Sequence, residues 1–223
     1  MGIESIAIIV ALIMSIVLHE MAHGYAANAL GDPTARLQGR LSPNPLVHID
    51  PLGSVILPAL LFLSNAGFLF GWAKPVPYNP YNLTDQRYGE AKVAAAGPAM
   101  NIGLALVFSV LLRLAEPLAL NDAFQSLAAY IIFINILLAF FNMLPIPPLD
   151  GSKILAALLP FKAAMKYQEF LRMVERWGIF VLLVVLFLLI NIIWPYLFVA
   201  VITVASLFSG LEPSAFLDLM QLL

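Results

Sequence analysis

The sequence predicts an all-α integral membrane protein: a bundle of about five to six transmembrane or membrane-embedded helical segments, with a re-entrant hairpin at 53–72 and a small loop or β element at 32–50. Three observations carry this. The chain is 62% hydrophobic and only 11% charged, where soluble domains are nearer half apolar and a quarter charged. Its apolar residues gather in long stretches, at Ile3 to Leu30, Gly53 to Trp72, Ala91 to Ala115, Phe124 to Leu144 and Trp177 to Phe208. And 223 residues spent on several spans leave no room for a separate extramembrane domain, so 1–223 reads as one membrane-embedded unit. Within it, a core at 1–159 is followed by an amphipathic segment and helices at 160–223.

The first stretch opens MGIESIAIIVALIMSIVLHE, with no Lys or Arg before Arg36, so it is expected to be a retained span rather than a cleavable signal peptide. Its sixth residue, Ile6, also misses the myristoylation pattern. Gly31 to Pro51 is polar and rich in Pro and Gly, with a short alternating piece around Thr34 to Leu41 that suggests a surface loop or small β element. Gly53 to Trp72 is interrupted by Pro58 and by Ser64-Asn65-Ala66-Gly67, which predicts a hairpin turning near that cluster. The third and fourth stretches are long enough to cross a bilayer. Lys153 to Arg176 is basic and amphipathic, as expected of a helix lying on anionic headgroups. The last stretch would run roughly 48 Å as one helix, too long for an untilted span, and the NIIWP sequence at Asn191 to Pro195 predicts a break.

The first stretch carries HEMAH, residues 19–23, about 24 to 30 Å along its helix and therefore towards its exit face. On a helix the i and i+4 positions share a face, so His19 and His23 can reach one ion with Glu20 beside them. Ionisable groups inside a span cost at least about 2.5 kcal/mol each and mark function. With no cysteine in the chain, thiolate metal sites and cysteine nucleophiles are excluded. A catalytic zinc takes three protein ligands and an open position, and the third candidates are His48, a loop histidine in NPLVHIDPLGS, and a carboxylate, Asp150. Asp150 is favoured, being membrane-proximal after the fourth span in FNMLPIPPLDGSKIL. Pro145, Pro147 and Pro148 stiffen the backbone there, and Gly151 allows a turn back towards the ion. For His48 a structural or gating contact is the plainer role.

For Asp150 to meet the histidines, the first and fourth stretches must run the same way, which requires the second to fold back instead of crossing. Basic residues agree. With a hairpin, Arg36, Arg40, Lys74, Arg87, Lys92, Lys153, Lys162, Lys166, Arg172 and Arg176 share the motif side, with Arg113 alone opposite. The positive-inside rule then puts that side in the cytoplasm and the N-terminus outside, in a multi-pass cell-membrane protein.

HEMAH at 19–23, GPAMN at 97–101 and NMLPIPPLDG at 142–151, with NPLVHIDPLGS and FGWAKPVPYNP, resemble the site-2 protease family of intramembrane zinc metalloproteases in its compact prokaryotic form, without a PDZ or nucleotide-sensing domain. The resemblance implies one zinc per chain held by His19, His23 and Asp150, with Glu20 as catalytic acid/base. It further implies that Asn101 and Asn142 line the site, holding substrate backbone or an oxyanion, with helix-to-helix hydrogen bonding as the alternative for each. The implied partners are the bilayer and single-span membrane protein substrates, with no nucleic acid, in regulated intramembrane proteolysis or clearance of signal-peptide remnants. Strand addition on Thr34 to Leu41 or on the hairpin is the expected means of substrate capture. The competing class is a zinc or ion transporter, or a non-catalytic metal-binding membrane protein. A transporter would need polar residues spaced through several spans.

Overall fold

The structure, a computed structural model, describes residues 3–64, 71–176 and 189–221. Its elements are helical throughout, with no strand among the described residues. Helix α1 spans Ile3–Ala29 and ends where Gly31 takes φ 107° ahead of Pro33, a left-handed stop that only glycine adopts cheaply. The short α2, Thr34–Leu37, and α3, Leu57–Leu63, lead to α4 at Gly89–Arg113 and α5 at Asp122–Asn142. Asn121 caps α5 by accepting from the Phe124 N–H. Then come α6, Asp150–Leu158, α7, Phe161–Arg176, α8, Trp194–Ser209, and α9, Pro213–Gln221. Among the described residues, four segments are long and apolar enough to cross a membrane: Ile6–Ala29, Gly89–Arg113, Asp122–Asn142 and Asn191–Ser209.

These helices pack through small residues, as membrane helices do when burial of apolar surface offers no drive. Ala105 of α4, Ala129 of α5 and Ala205 of α8 are fully buried where they meet, and Phe216 of α9 closes that cluster. Helix α1 lies on α4 and α5. Its direction follows from contacts: Ser15 meets Asn135 of α5, His19 meets Asn101 of α4, and His23 meets Val93 of α4. Numbers rise along α1 while they fall along α4, so these two are antiparallel. Helix α5 runs with α1, and its exit at Asn142 leads back to Asp150. The geometry therefore has the parity that the two halves of the site require. Arg113, at the far end of α4, instead donates to the carbonyls of Leu207 and Phe208 at the end of α8.

Three expectations change. Thr34 to Leu41 is not a β element: Asp32 Oδ1 accepts from both the N–H and hydroxyl of Thr34, and the i+4 bonds from Leu37 and Gln38 close a helical turn. It therefore presents no strand edge to a substrate. Lys153 to Arg176 is split, because Pro160 cannot continue α6, and the amphipathic helix proper is α7. Gly151 is not a left-handed turn residue but lies in the first turn of α6, where a side chain would collide with the Met143 carbonyl.

Within 53–72, a π-helical turn at Pro51–Ile56 and α3 lead outward, and residues 65–70, with most of the predicted turn, lie outside the described residues. The two ends of the excursion meet: the Trp72 N–H donates to Gly53 O at 3.2 Å, and the Ser54 hydroxyl donates to Trp72 O at 2.8 Å. Gly53 is required for this closure, since a Cβ there would sit 2.2 Å from the Trp72 indole. In the last stretch, the NIIWP region forms a π-helical turn at Leu189–Ile193 that leads into α8, while 177–188 lie outside the described residues.

Candidate metal centre

His19 and His23 project from one face of α1 into the contact with α4, where they are 6% and 9% exposed. Asp150 reaches them from the first turn of α6, its Oδ2 lying 3.3 Å from the Nε2 of each histidine. These three form the one group of potential metal ligands among the described residues.

The tautomers settle what the cluster wants. The Val93 carbonyl can only accept, so His23 Nδ1, 2.7 Å away, must carry the proton. Asn101 Nδ2 donates to Asn135 Oδ1 at 2.8 Å, which turns Asn101 Oδ1 towards His19 Nδ1 at 2.6 Å and protonates that nitrogen as well. Each neutral ring is left with a bare lone pair on Nε2. Those lone pairs face each other at 3.0 Å beside a carboxylate oxygen that has no hydrogen-bond donor. Three electron-pair donors this close repel unless a cation lies among them. Donors around a tetrahedral zinc, each about 2.0 to 2.1 Å from the ion, stand roughly 3.3 Å apart, close to the 3.0, 3.3 and 3.3 Å seen. Gly97 of α4 completes the cradle: a Cβ there would sit 2.5 Å from His23 Nε2 and 2.6 Å from His19 Nε2. The residues present fit a zinc ion.

Glu20, next to His19 on α1, accepts a 2.8 Å hydrogen bond at Oε2 from the Val76 N–H. That N–H belongs to residues 71–79, a segment with no regular secondary structure that passes beside Glu20. Lys153, one turn beyond Asp150 on α6, holds its Nζ 5.2 Å from the Tyr78 ring centre. Burial works against the Lys153 charge, and Tyr78, Asp150 and Glu90 outweigh it, raising its pKa above the ordinary lysine value.

Of the other residues singled out in the sequence, Asn101 is fully buried on His19. Asn142 turns its amide to the Leu138 carbonyl of its own helix, at 2.9 Å. His48 stands outside the donor cluster, its Nε2 2.9 Å from Ser42 O and its own carbonyl accepting from the Lys74 N–H. Sequence reasoning missed Asn135, which is fully buried and bonds Asn101, the Ser15 hydroxyl and the Ile131 carbonyl. The available signal was weak, an uncharged amide in mid-span, a kind of residue that commonly makes ordinary helix-to-helix hydrogen bonds.

Comparison with known proteins places these observations in a family. The model of peptidase family M50 matches residues 113–185, which include Asp150 and leave HEMAH outside. The "Putative zinc metalloprotease YwhC" of Bacillus subtilis is 34% identical over 212 residues, covering 92% of this chain and 91% of its own. The "Putative zinc metalloprotease Rip2" of Mycolicibacterium smegmatis is 32% identical over 182 residues, 81% of this chain and 66% of its own. A protein of Methanocaldococcus jannaschii, "Putative zinc metalloprotease MJ0611", is 42% identical over 78 residues, 35% of this chain and 38% of its own. No solved structure gives a significant match.

Proposed function

The chain belongs to peptidase family M50, the site-2 proteases, and from that premise we propose that it is an intramembrane zinc endopeptidase that cleaves single-span membrane proteins near the cytoplasmic face. The observation that carries the reading is the pair of buried lone pairs, His19 Nε2 and His23 Nε2, converging with Asp150 Oδ2 beside Glu20. These three atoms would hold the zinc. When bound there, zinc supplies Lewis acidity, bringing a water towards a pKa of about 7 and polarising a carbonyl.

The chain's own residues supply the rest. The Val76 N–H occupies Glu20 Oε2, which leaves Oε1 to take a proton from the attacking water and pass it to the leaving amine. Asn101 and Val93 keep both imidazole protons on Nδ1, so neither ring competes for that proton. A spanning helix hides its amides in internal hydrogen bonds, so the substrate must unwind locally to expose one. Lys92 near the start of α4 and Lys153 on α6 stand at the site end of the bundle and Arg113 at the other, which supports a cytoplasmic site and an external N-terminus.

The test compares the reconstituted protein with Glu20→Gln on a labelled single-span peptide, with bound zinc measured in both. We expect equal zinc and a loss of cleavage of about 10² to 10⁴-fold, the usual contribution of a general acid/base. Unimpaired cleavage by the variant would remove Glu20 from its role. Zinc movement into sealed vesicles without cleavage by either protein would favour a carrier.

A further inference from the structure

Arg40 is 8% exposed, yet among the described residues no carboxylate pairs with its guanidinium. Its Nη2 donates to the carbonyls of Lys74 at 2.8 Å and Pro75 at 3.3 Å, and its Nε has no partner. Burying a permanent charge against two neutral acceptors is costly. The cost makes sense once the next atom is counted.

The Pro75 carbonyl and the Val76 N–H are two ends of one peptide unit. That unit is trans and planar, so its oxygen and hydrogen point in opposite directions. The oxygen faces the Arg40 guanidinium, and the hydrogen is donated to Glu20 Oε2 at 2.8 Å. Cation, carbonyl, N–H and carboxylate therefore stand in series, with the peptide dipole aligned to both charges. Hydrogen bonds in such a chain strengthen one another, the more so in a poorly solvated site. The counter-charge of Arg40 is Glu20, met across a single peptide.

The local sequence, KPVPY at 74–78, suits this arrangement. Pro75 and Pro77 carry no N–H and fix φ, so Val76 offers the one backbone donor between Lys74 and Tyr78. Its side chain is buried against Gly24, whose added Cβ would lie 2.8 Å from Val76 Cγ1. Gly24 is four residues beyond Glu20 and so shares its face of α1. Val76 is thereby fixed in register with Glu20.

We propose that Arg40 is a positioning residue for Glu20, acting through the Pro75–Val76 peptide so that Oε2 is held and Oε1 faces the reacting water. The effect on turnover rests on the protease reading, whereas the linkage itself rests on geometry.

The test uses the full chain in lipid nanodiscs. Three changes are made: Arg40→Lys, Arg40→Met, and replacement of the Val76 amide by an ester, which deletes that N–H and weakens the Pro75 carbonyl as an acceptor, so that both ends of the link are cut. Cleavage of a single-span peptide, zinc content and hydrogen exchange at the 15N-labelled Val76 amide are measured. Arg40→Met should lower kcat roughly 10- to 100-fold, the scale of a small misplacement of a reacting group, with KM and zinc content unchanged. Arg40→Lys should recover part of the loss. In the ester background Arg40→Met should cost nothing further, and in the amide background Val76 exchange should quicken at least tenfold. Additive losses, an unchanged kcat, loss of zinc or unaltered Val76 exchange would each overturn the proposal. If Arg40→Met does not fold, Arg40→Lys with and without the ester gives the same comparison. If wild-type protein cleaves nothing, the protease reading falls, and Val76 exchange alone decides the linkage.

Discussion

The two sides of the centre are built differently. His19, His23 and Asp150 stand on α1 and α6, and both helices pack against α4. Glu20 is completed from outside the bundle by 71–79, a segment with no helix or sheet of its own, held by scattered bonds: Trp72 to Gly53, Lys74 to His48, the 74 and 75 carbonyls to Arg40, Val76 to Glu20 and Asn79 to Asp32. Helices set the donor atoms through many small contacts, so no single bond decides their positions. The other segment has no helical ladder of its own, so each of its bonds to the rest of the protein matters more. The donor atoms are fixed by the packing of helices, whereas the segment beside Glu20 is fixed by a series of separate hydrogen bonds.

The largest effect expected on the helical side comes from Gly97→Ala. Alanine favours a helix by about 1 kcal/mol over glycine, so α4 itself should gain. Its methyl would nevertheless sit 2.5 to 2.6 Å from both Nε2 atoms and drive them from their present positions. Zinc affinity by chelator competition should fall by more than about 100-fold, beyond the loss typical of an outer hydrogen bond, with helix content unchanged by circular dichroism. Wild-type affinity would show that the cradle is looser than its packing indicates.

Asn135→Leu should do less, because it removes orientation and leaves all three donors. Without Asn135 Oδ1, Asn101 can rotate its amide and offer Nδ2 to His19, which would favour the tautomer protonated on Nε2. Zinc affinity should drop by roughly 10- to 100-fold, the range for outer-shell partners. Asn135→Asp, which keeps an acceptor for Asn101 Nδ2, should restore part of it. An equal loss in both variants would mean that Asn135 serves only to pack α5 against α1.

These two regions also differed in how far the sequence disclosed them. The i, i+4 spacing of His19 and His23 implies a shared face on any helix, and the run of basic residues at one end implies the parity that puts α5 alongside α1. Periodicity and charge are local quantities that survive in a bare string of residues. Asn135 belongs to no motif, and its importance lies in three bonds to residues far away in sequence or on another helix turn. The 71–79 segment was harder still. Nothing in KPVPY shows that one of its amides meets Glu20, 56 residues away, while the carbonyl of the same peptide meets Arg40. Thr34 to Leu41 misled because its alternation is short, and Asp32 bends the backbone into a helical turn before any strand partner is available.

Asp32 gives the mildest expected effect on the 71–79 segment. It is fully buried after α1 and accepts from Asn79 N, Asn82 Nδ2, Thr34 N and Thr34 Oγ1, tying the end of the segment to the bundle. Burial pushes its carboxyl up, but these four donors outweigh that and lower the pKa below the ordinary value. A carboxylate with a depressed folded pKa contributes its stability above the unfolded value, near 3.9, and loses it as pH falls through the folded one. Asp32→Asn removes the charge while keeping the shape, and hydrogen bonds to a charged group contribute about 2 kcal/mol. The Asn79 amide should therefore exchange roughly 30-fold faster in the variant at pH 6, after correction for intrinsic rates, with the difference shrinking as wild type is taken towards pH 3. Zinc content should not change, since Asp32 holds that segment and none of the donors. A difference that stayed constant across that pH range would show that the Asp32 carboxylate does not hold the segment through its charge.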